Sequence, residues 1–354
     1  MQKESKDFLY KLLKTPSPTG FEQKIQRVIR SRMERYADVV ETDFHGNVIC
    51  ALNPKAKIKV MLAGHCDQIG LMVTHITEKG FVYFQALGGI DTGVLEGATV
   101  TIHAEKGSVD GVIGRKPIHI QKPDERGKGI SDINLLWIDI GASSKADAEK
   151  RIRIGDGITF RLGVTELSDD LVSSPGLDDK SGLFVAMETL RLCAKKKLKV
   201  GLFAVSTVQE EVGLRGAKTA AFRISPDVGI AIDVTNANDN PGVGPEKVTP
   251  IGLGKGPCIT RGLNINPVVE KRLIAAAKKA KVPFQFEPSS RLLGNDANAM
   301  QVNQAGVATA SLEIPNRYMH TQVEVCSLKD LENAAKLLTA FVTDLSERTD
   351  FRPF

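Results

Sequence analysis

Four apolar runs recur along the chain, at residues 58–64 (IKVMLAG), 200–206 (VGLFAVS), 228–233 (VGIAID) and 306–312 (GVATASL). Each is short, rich in aliphatic residues and bounded by glycine or polar residues, the pattern of a buried strand. Helix-like stretches lie around them: KDFLYKLLKT at 6–15, FEQKIQRVIRSRMERYA at 21–37, GLFVAMETLRL at 182–192, VVEKRLIAAAKKA at 268–280 and LKDLENAAKLLTAFVTDL at 328–345. Thr19 and Glu22 carry the spacing of a capping box at the second of these. VVETDF and NVICA flank HGN, a hairpin turn signal. Strands that alternate with helices imply a parallel-rich sheet covered by helices.

Between about 71 and 165 the pattern changes. LMVTHI, FVYFQA, ATVTIHA, GVIGR, LLWIDIG and GITFRLG alternate with period two and are separated by frequent glycine, with one short helix, SKADAEK, among them. Such a run predicts a small β-barrel or sandwich rather than βαβ units. The fold class is therefore α/β: a mixed, parallel-rich sheet covered by helices, built from 1–70 and 166–354, with a small β-barrel inserted at 71–165. No internal repeat or low-complexity tract interrupts this plan.

Composition narrows the function. At 354 residues the chain can bury a large core and supply two domains. A hydrophobic content of 42% and a charged content of 25% are ordinary for a globular protein. The net charge of +5 is modest, and no Lys/Arg block interleaved with aromatics suggests a nucleic-acid partner. AKKKLK at 194–199 reads as a solvated helix end. Cys50, Cys66, Cys193, Cys258 and Cys326 are odd in number and scattered, which argues against a disulfide framework. No stretch has the length and apolarity of a membrane span, and the N-terminal segment lacks an apolar signal core, so a cytoplasmic protein is expected.

The candidate chemistry sits where the apolar runs end. Glu210 and Glu211 follow the run at 200–206, where open α/β sheets place ligands. Adjacent carboxylates at the mouth of a core need a cation or proton to compensate them. His65-Cys66-Asp67 ends the run at 58–64, and period two points His65 and Asp67 the same way, as suits a metal ligand held by an acid. Asp178 and Asp179 precede the helix at 182–192, Asp233 ends the run at 228–233, and His320 follows the run at 306–312. Taken singly, each is more often a hydrogen-bonded loop residue, and Asp178 or Asp179 could simply cap a helix. His45, His75, His103 and His119 fit that bland reading. Five coincidences at the ends of core strands, or in the loops after them, favour a dinuclear metal centre. Two histidines with several carboxylates suit zinc first, with cobalt or manganese as alternatives.

With those motifs in place, the chain resembles the dinuclear metalloaminopeptidases of metallopeptidase family forty-two, which include glutamyl and TET aminopeptidases and members labelled deblocking aminopeptidase or cellulase M. AGHCDQIGLMV, LDDKSG, TVQEEVGLRGA, IAIDVT, LGKGP and RYMHT occur in family order and span nearly the whole chain. The resemblance implies His65 on one metal and His320 on the other, Asp178 shared, and Glu211 and Asp233 completing one site each. It further implies Glu210 as general base, Asp67 orienting His65, and a cis bond between Asp178 and Asp179. The implied activity is release of N-terminal residues from short peptides by an enzyme holding two divalent ions per subunit. Its insert would carry self-association, as a homodimer or a dodecamer.

Gln68 stands where the family often has glutamate, LDDK replaces LDDR, GNDANAM at 294–300 replaces Gly-Thr-Asp-Ala, and Asn236 replaces a common histidine. These departures bear on substrate preference. The insert falls between His65 and Asp178, whereas related deacylases and carboxypeptidases place their second domain later, which favours an aminopeptidase. A glycosidase needs two carboxyls flanking a sugar bond and leaves the histidines unexplained. A non-catalytic scaffold would be expected to lack a ligand.

Overall fold

The computed structural model describes residues 1–122, 129, 132–242 and 248–354. The N-terminal part of the larger layer contains α1 (Lys3–Leu13), α2 (Gln23–Met33), β1 (Val39–Thr42), β2 (Val48–Leu52) and β3 (Lys59–His65). The inserted part follows as β4 (Gly70–Ile76), β5 (Val82–Leu87), β6 (Thr99–Ala104), β7 (Gly107–Gly114), β8 (Trp137–Asp139), α3 (Lys145–Glu149) and β9 (Gly157–Phe160). The chain then returns through β10 (Thr165–Glu166), β11 (Leu171–Ser173), α4 (Leu177–Cys193), β12 (Gly201–Thr207), α5 (Arg215–Ile224) and β13 (Val228–Asn236). It finishes with β14 (Cys258–Gly262), α6 (Pro267–Ala280), β15 (Gln285–Ser289), α7 (Asp296–Gln301), β16 (Ala308–Arg317), β17 (Val325–Ser327) and α8 (Leu328–Asp344).

The large sheet runs β1-β2-β12-β3-β13-β16-β17-β11-β10, with β14 and β15 branching beside β16. Its four central strands, β12, β3, β13 and β16, are mutually parallel, so their carboxyl ends share one edge. The expected mixed, parallel-rich sheet is present. Alternation along each central strand serves two cores. Val60 and Leu62 of β3 face a cluster with residues of α1, α2, α4, α6 and α8, while Met61 and Ala63 face α5 and α7. Helices thus cover both faces, which is why these strands read as continuous apolar runs.

The insert is a closed barrel in the order β4-β5-β8-β7-β6-β9, with its own core of residues such as Val73, Phe84, Ile102 and Ile158. Residues 123–128, 130 and 131 of the expected insert lie outside the described residues. Closure satisfies the edges of six short strands that could not otherwise stand alone in water.

Two sequence expectations differ from the structure. The capping box at α2 does not form: Glu22 itself occupies the N-cap position without a side-chain cap. Thr19 N–H instead donates to the Gln68 carbonyl at 3.0 Å, and the Glu22 carboxylate accepts from Gly20 N at 2.7 Å and Gln209 N at 3.3 Å. The Thr19 N–H and the Glu22 carboxylate that the local motif would pair with each other are thus engaged elsewhere, and Thr19 Oγ1 caps nothing. The run at 306–312 marks only part of β16, which continues to Arg317 through buried Glu313 and Asn316. Polar residues that serve the site end the apolar pattern before the strand itself ends.

Candidate metal centre

His65 closes β3, and Glu210 and Glu211 follow β12, its parallel neighbour, in which Thr207 lies in register with His65. Asp233 lies on β13, and His320 follows β16. Asp178 sits at the start of α4, joined to Asp179 by a cis peptide bond, and neither residue has helical backbone angles. His65, Asp178, Glu210, Glu211, Asp233 and His320 line one cleft of about 620 Å³, together with Gly89, Thr235, Glu287, Asn295 and Glu313.

The two imidazoles converge on one carboxylate. His65 Nε2 lies 3.2 Å from Asp178 Oδ1, and His320 Nε2 lies 3.1 Å from Asp178 Oδ2. Each ring is fixed from behind by a carbonyl: His65 Nδ1 donates to Asp67 O at 3.0 Å and His320 Nδ1 to Gly89 O at 2.7 Å. A carbonyl can only accept, so both Nδ1 atoms carry hydrogen and both Nε2 atoms are turned towards Asp178. Each such nitrogen needs a proton or a cation between it and the carboxylate. Two groups of side chains could hold a cation: His65, Asp178 and Asp233, and Asp178, Glu211 and His320, with ligand atoms in each group within 4.8 Å of one another. Glu210 belongs to neither group, although its Oε2 lies 3.8 Å from His65 Nε2.

The surrounding main chain is held by acids. Asp67 Oδ1 accepts from Glu210 N at 3.1 Å and Oδ2 from Glu211 N at 3.2 Å, so its carboxylate sets the Glu210-Glu211 turn while its carbonyl orients His65. The Asp67 carboxylate itself lies 3.5 Å from His65 Nδ1. Asp179 accepts from His65 N at 3.1 Å and Gly182 N at 2.9 Å, so it also acts as a helix cap. Glu324, which no sequence motif marked, accepts from Asp178 N at 3.0 Å and His320 N at 3.0 Å. Asp296 accepts from Thr207 Oγ1 at 2.6 Å.

Crowding of buried carboxylates shapes the electrostatics. Burial, with Asp233, Asp296 and Glu211 adding repulsion against the opposing His65, pushes the Glu210 carboxyl up to about 10. Burial and the Asp178 charge push Glu211 up to about 8, and burial raises Asp233 to about 7. Asp178 is the exception: burial works against its charge, but hydrogen bonds from His320 and His65 outweigh it and hold the carboxyl well below the usual range. The hydrogen bond to Asp178 raises His320 to about 9. Burial pulls His65 down, yet Glu210, Asp178 and Asp67 hold it well above the ordinary histidine range. Glu211 Oε1 is buried without a hydrogen-bond partner. Carboxylates this dense call for added positive charge, and the donor set of imidazole and carboxylate fits divalent zinc, cobalt or manganese.

Two of the sequence departures prove to be one contact. The Lys180 ammonium, fully buried, donates to Gln68 Oε1 and to Thr15 O, the latter at 2.9 Å. Burial pulls this lysine down to about 7. Asn236, Gly294, Asn295 and Asn298 line the same cleft as the paired imidazoles.

A sequence model of the M42 glutamyl aminopeptidase family matches residues 46–337, and the chain belongs to that family. It is a hydrolase of the aminopeptidase class, and membership implies divalent metal ions. It is 39% identical to the lysyl aminopeptidase of Pyrococcus furiosus over 352 residues, covering 98% of this chain and 99% of the relative. The TET aminopeptidase of a marine sediment Thaumarchaeota archaeon superposes with a TM-score of 0.92 at 34% identity, covering 97% of both chains. The Pyrococcus horikoshii TET1 peptidase, which can assemble into a tetrahedron or a large octahedral shell, gives 0.86 at 32% identity, covering 96% of this chain and 100% of that one. Among the described residues, no helix is long and apolar enough to cross a membrane.

Proposed function

We propose that this aminopeptidase holds two divalent cations, one on His65, Asp178 and Asp233 and one on Asp178, Glu211 and His320, and uses Glu210 as general base on short peptides. The observation that carries this reading is the pair of imidazoles presenting Nε2 atoms, at 3.2 and 3.1 Å, to the two oxygens of the single Asp178 carboxylate. Divalent ions bound there supply Lewis acidity towards the scissile carbonyl and lower the pKa of the attacking water. Glu210, outside both groups but at their edge, takes the water proton and returns it to the leaving amine. Asp67 keeps that base in place through the Glu210 main-chain N–H. The substrate α-amine finds charge-assisted contacts among the same carboxylates, which restricts cleavage to the peptide's N-terminal residue.

Zinc is the first choice of metal on donor chemistry, with cobalt or manganese as alternatives. The glycosidase and deacylase readings leave the paired imidazoles or the insert position without a role. We further propose that the segment 71–165 acts as an assembly domain on the catalytic domain of 1–70 and 166–354. Exposed Val112, Ile118, Ile120, Leu135 and Ile154 on the insert support self-association, whether as a dimer or a larger shell. Five buried, unpaired cysteines support a reducing, cytoplasmic setting.

Two variants test the roles. Glu210→Gln should keep both ions and the fold while lowering kcat by roughly two to four orders of magnitude, the contribution of a positioned base. Glu211→Gln should lose one ion. Metal analysis after desalting, read beside kinetics on aminoacyl chromogenic substrates, separates them. Equal metal loss in both variants would refute the assignment.

A further inference from the structure

The family name points to glutamyl substrates and the Pyrococcus furiosus relative's name to lysyl ones, so similarity does not fix the preferred N-terminal side chain. The cleft's own residues do discriminate. Once Asp178, Glu211 and Asp233 are given to cations and Glu210 to proton transfer, Glu287 and Glu313 still line it. Among the described residues, no lysine or arginine lines the cleft to balance them.

Glu313 is 3% exposed, and its Oε1 accepts from Asn295 Nδ2 at 2.9 Å and from Ser311 Oγ at 2.5 Å. Its Oε2 is buried with no hydrogen-bond partner, an oxygen left for something else to neutralise. Glu313 is the register partner of Asp233 on the adjacent parallel strand, so it stands next to the candidate metal ligands. Glu287 lies one step further out. Its Oε1 accepts from Thr235 Oγ1 at 2.6 Å, and Thr235 is two residues, about 6.5 Å, along β13 from Asp233 on the same face. The acids along this wall therefore run Asp233, Glu313, Glu287 outward from the candidate ligands, with neutral Thr235 and Asn295 beside them. Half-buried Leu293 and Met319 line the same cleft and offer apolar surface beside the carboxylates.

An acidic end with apolar flanks suits an aliphatic stem that ends in a positive charge. A glutamyl side chain would meet like charge there, and a leucyl one would leave the carboxylates unpaired. We infer that the cleft selects peptides with a cationic N-terminal side chain, lysyl or arginyl, with Glu287 facing the side-chain charge. This rests on the aminopeptidase reading of the same site. Selectivity follows from charge, so it weakens as salt rises.

The test is a panel of lysyl, arginyl, leucyl, alanyl and glutamyl chromogenic amides on the metal-loaded enzyme and on Glu287→Gln. The unmodified enzyme should turn over lysyl and arginyl amides with a kcat/KM roughly tenfold or more above leucyl and glutamyl. Glu287→Gln should cut the lysyl-to-leucyl ratio by about the same factor, and Glu287→Asp should restore part of it. Melting temperatures confirm that each variant is folded. A leucyl or glutamyl preference in the unmodified enzyme would overturn the inference alone. So would an equal loss on every substrate in Glu287→Gln, which would place these acids on the α-amine. No turnover of any free-amine substrate would instead bring down the aminopeptidase reading, and this inference with it.

Discussion

Glu324 shows how much of a candidate metal centre depends on residues outside its proposed ligand groups. One buried carboxylate takes the main-chain N–H groups of Asp178 and His320, which come from segments more than a hundred residues apart. Its loss would leave the buried Asp178 N–H unpaired, at about 1–3 kcal/mol, and free the part-buried His320 N–H as well. Glu324→Ala should weaken cation binding at the Asp178, Glu211 and His320 group by roughly 10–100-fold, as for other residues that orient ligands. Binding at the His65, Asp178 and Asp233 group should fall less. Calorimetric metal titration reads both, and two wild-type affinities would show that the clamp is dispensable. His65, Glu211 and Asp233 were legible in the sequence because a histidine or acid stands where an apolar run ends, while Asp178 and His320 drew their roles from the motifs LDDKSG and RYMHT. Glu324 was not, nor were Glu313 and Asp296. Their partners are main-chain groups or polar side chains, mostly far along the chain, and no local pattern records them.

At the level of elements, the close approach of β3 and α4 brings Asp178 to His65. Gly64 makes it possible: a Cβ there would lie 2.5 Å from Leu183 N and 2.7 Å from Gly182 C, both backbone atoms of α4. Backbone cannot swing aside as a side chain can, so Gly64→Ala should force the helix off the sheet. Overpacking of this kind costs about 1–3 kcal/mol. The expected result is a lower urea midpoint together with weaker metal binding, because the same shift carries Asp178 away. Gly163→Ala is the control, with nothing within 4 Å and ordinary backbone, and should stay within about 0.5 kcal/mol of the parent. A neutral Gly64→Ala would show that the two elements have slack. The four central strands and the long helices were readable because each buries a continuous apolar run or face. The short strands β10, β14, β15 and β17 were not. They are two to five residues long, too short to show a period, and β14 and β17 pair with strands far along the chain.

On the scale of the whole molecule, the barrel does more than hang from the large sheet and its helices. Gly89, just past β5, supplies the carbonyl that orients His320, across 231 residues of chain. Its neighbour Gly88 has φ +84°, and a Cβ there would lie 3.3 Å from Glu211 Cβ and 3.4 Å from its Oε2. The run of short strands announced a barrel, but a glycine pair after one strand looks like any turn, so the sequence did not reveal that this loop completes the centre. Two properties of the barrel should therefore separate. Gly88→Val places a branched side chain at a left-handed position against Glu211, and strain of about 1–3 kcal/mol is expected. Metal affinity at the Glu211 and His320 group should drop, while light scattering shows assembly unchanged. Ile120→Glu with Leu135→Glu should do the reverse, since both side chains are more than half exposed and neither lines the cleft. Assembly should fall towards monomer with both ions retained. If Gly88→Val keeps both affinities, the barrel loop only borders the centre. If the double variant assembles normally, the self-association surface lies elsewhere on the molecule.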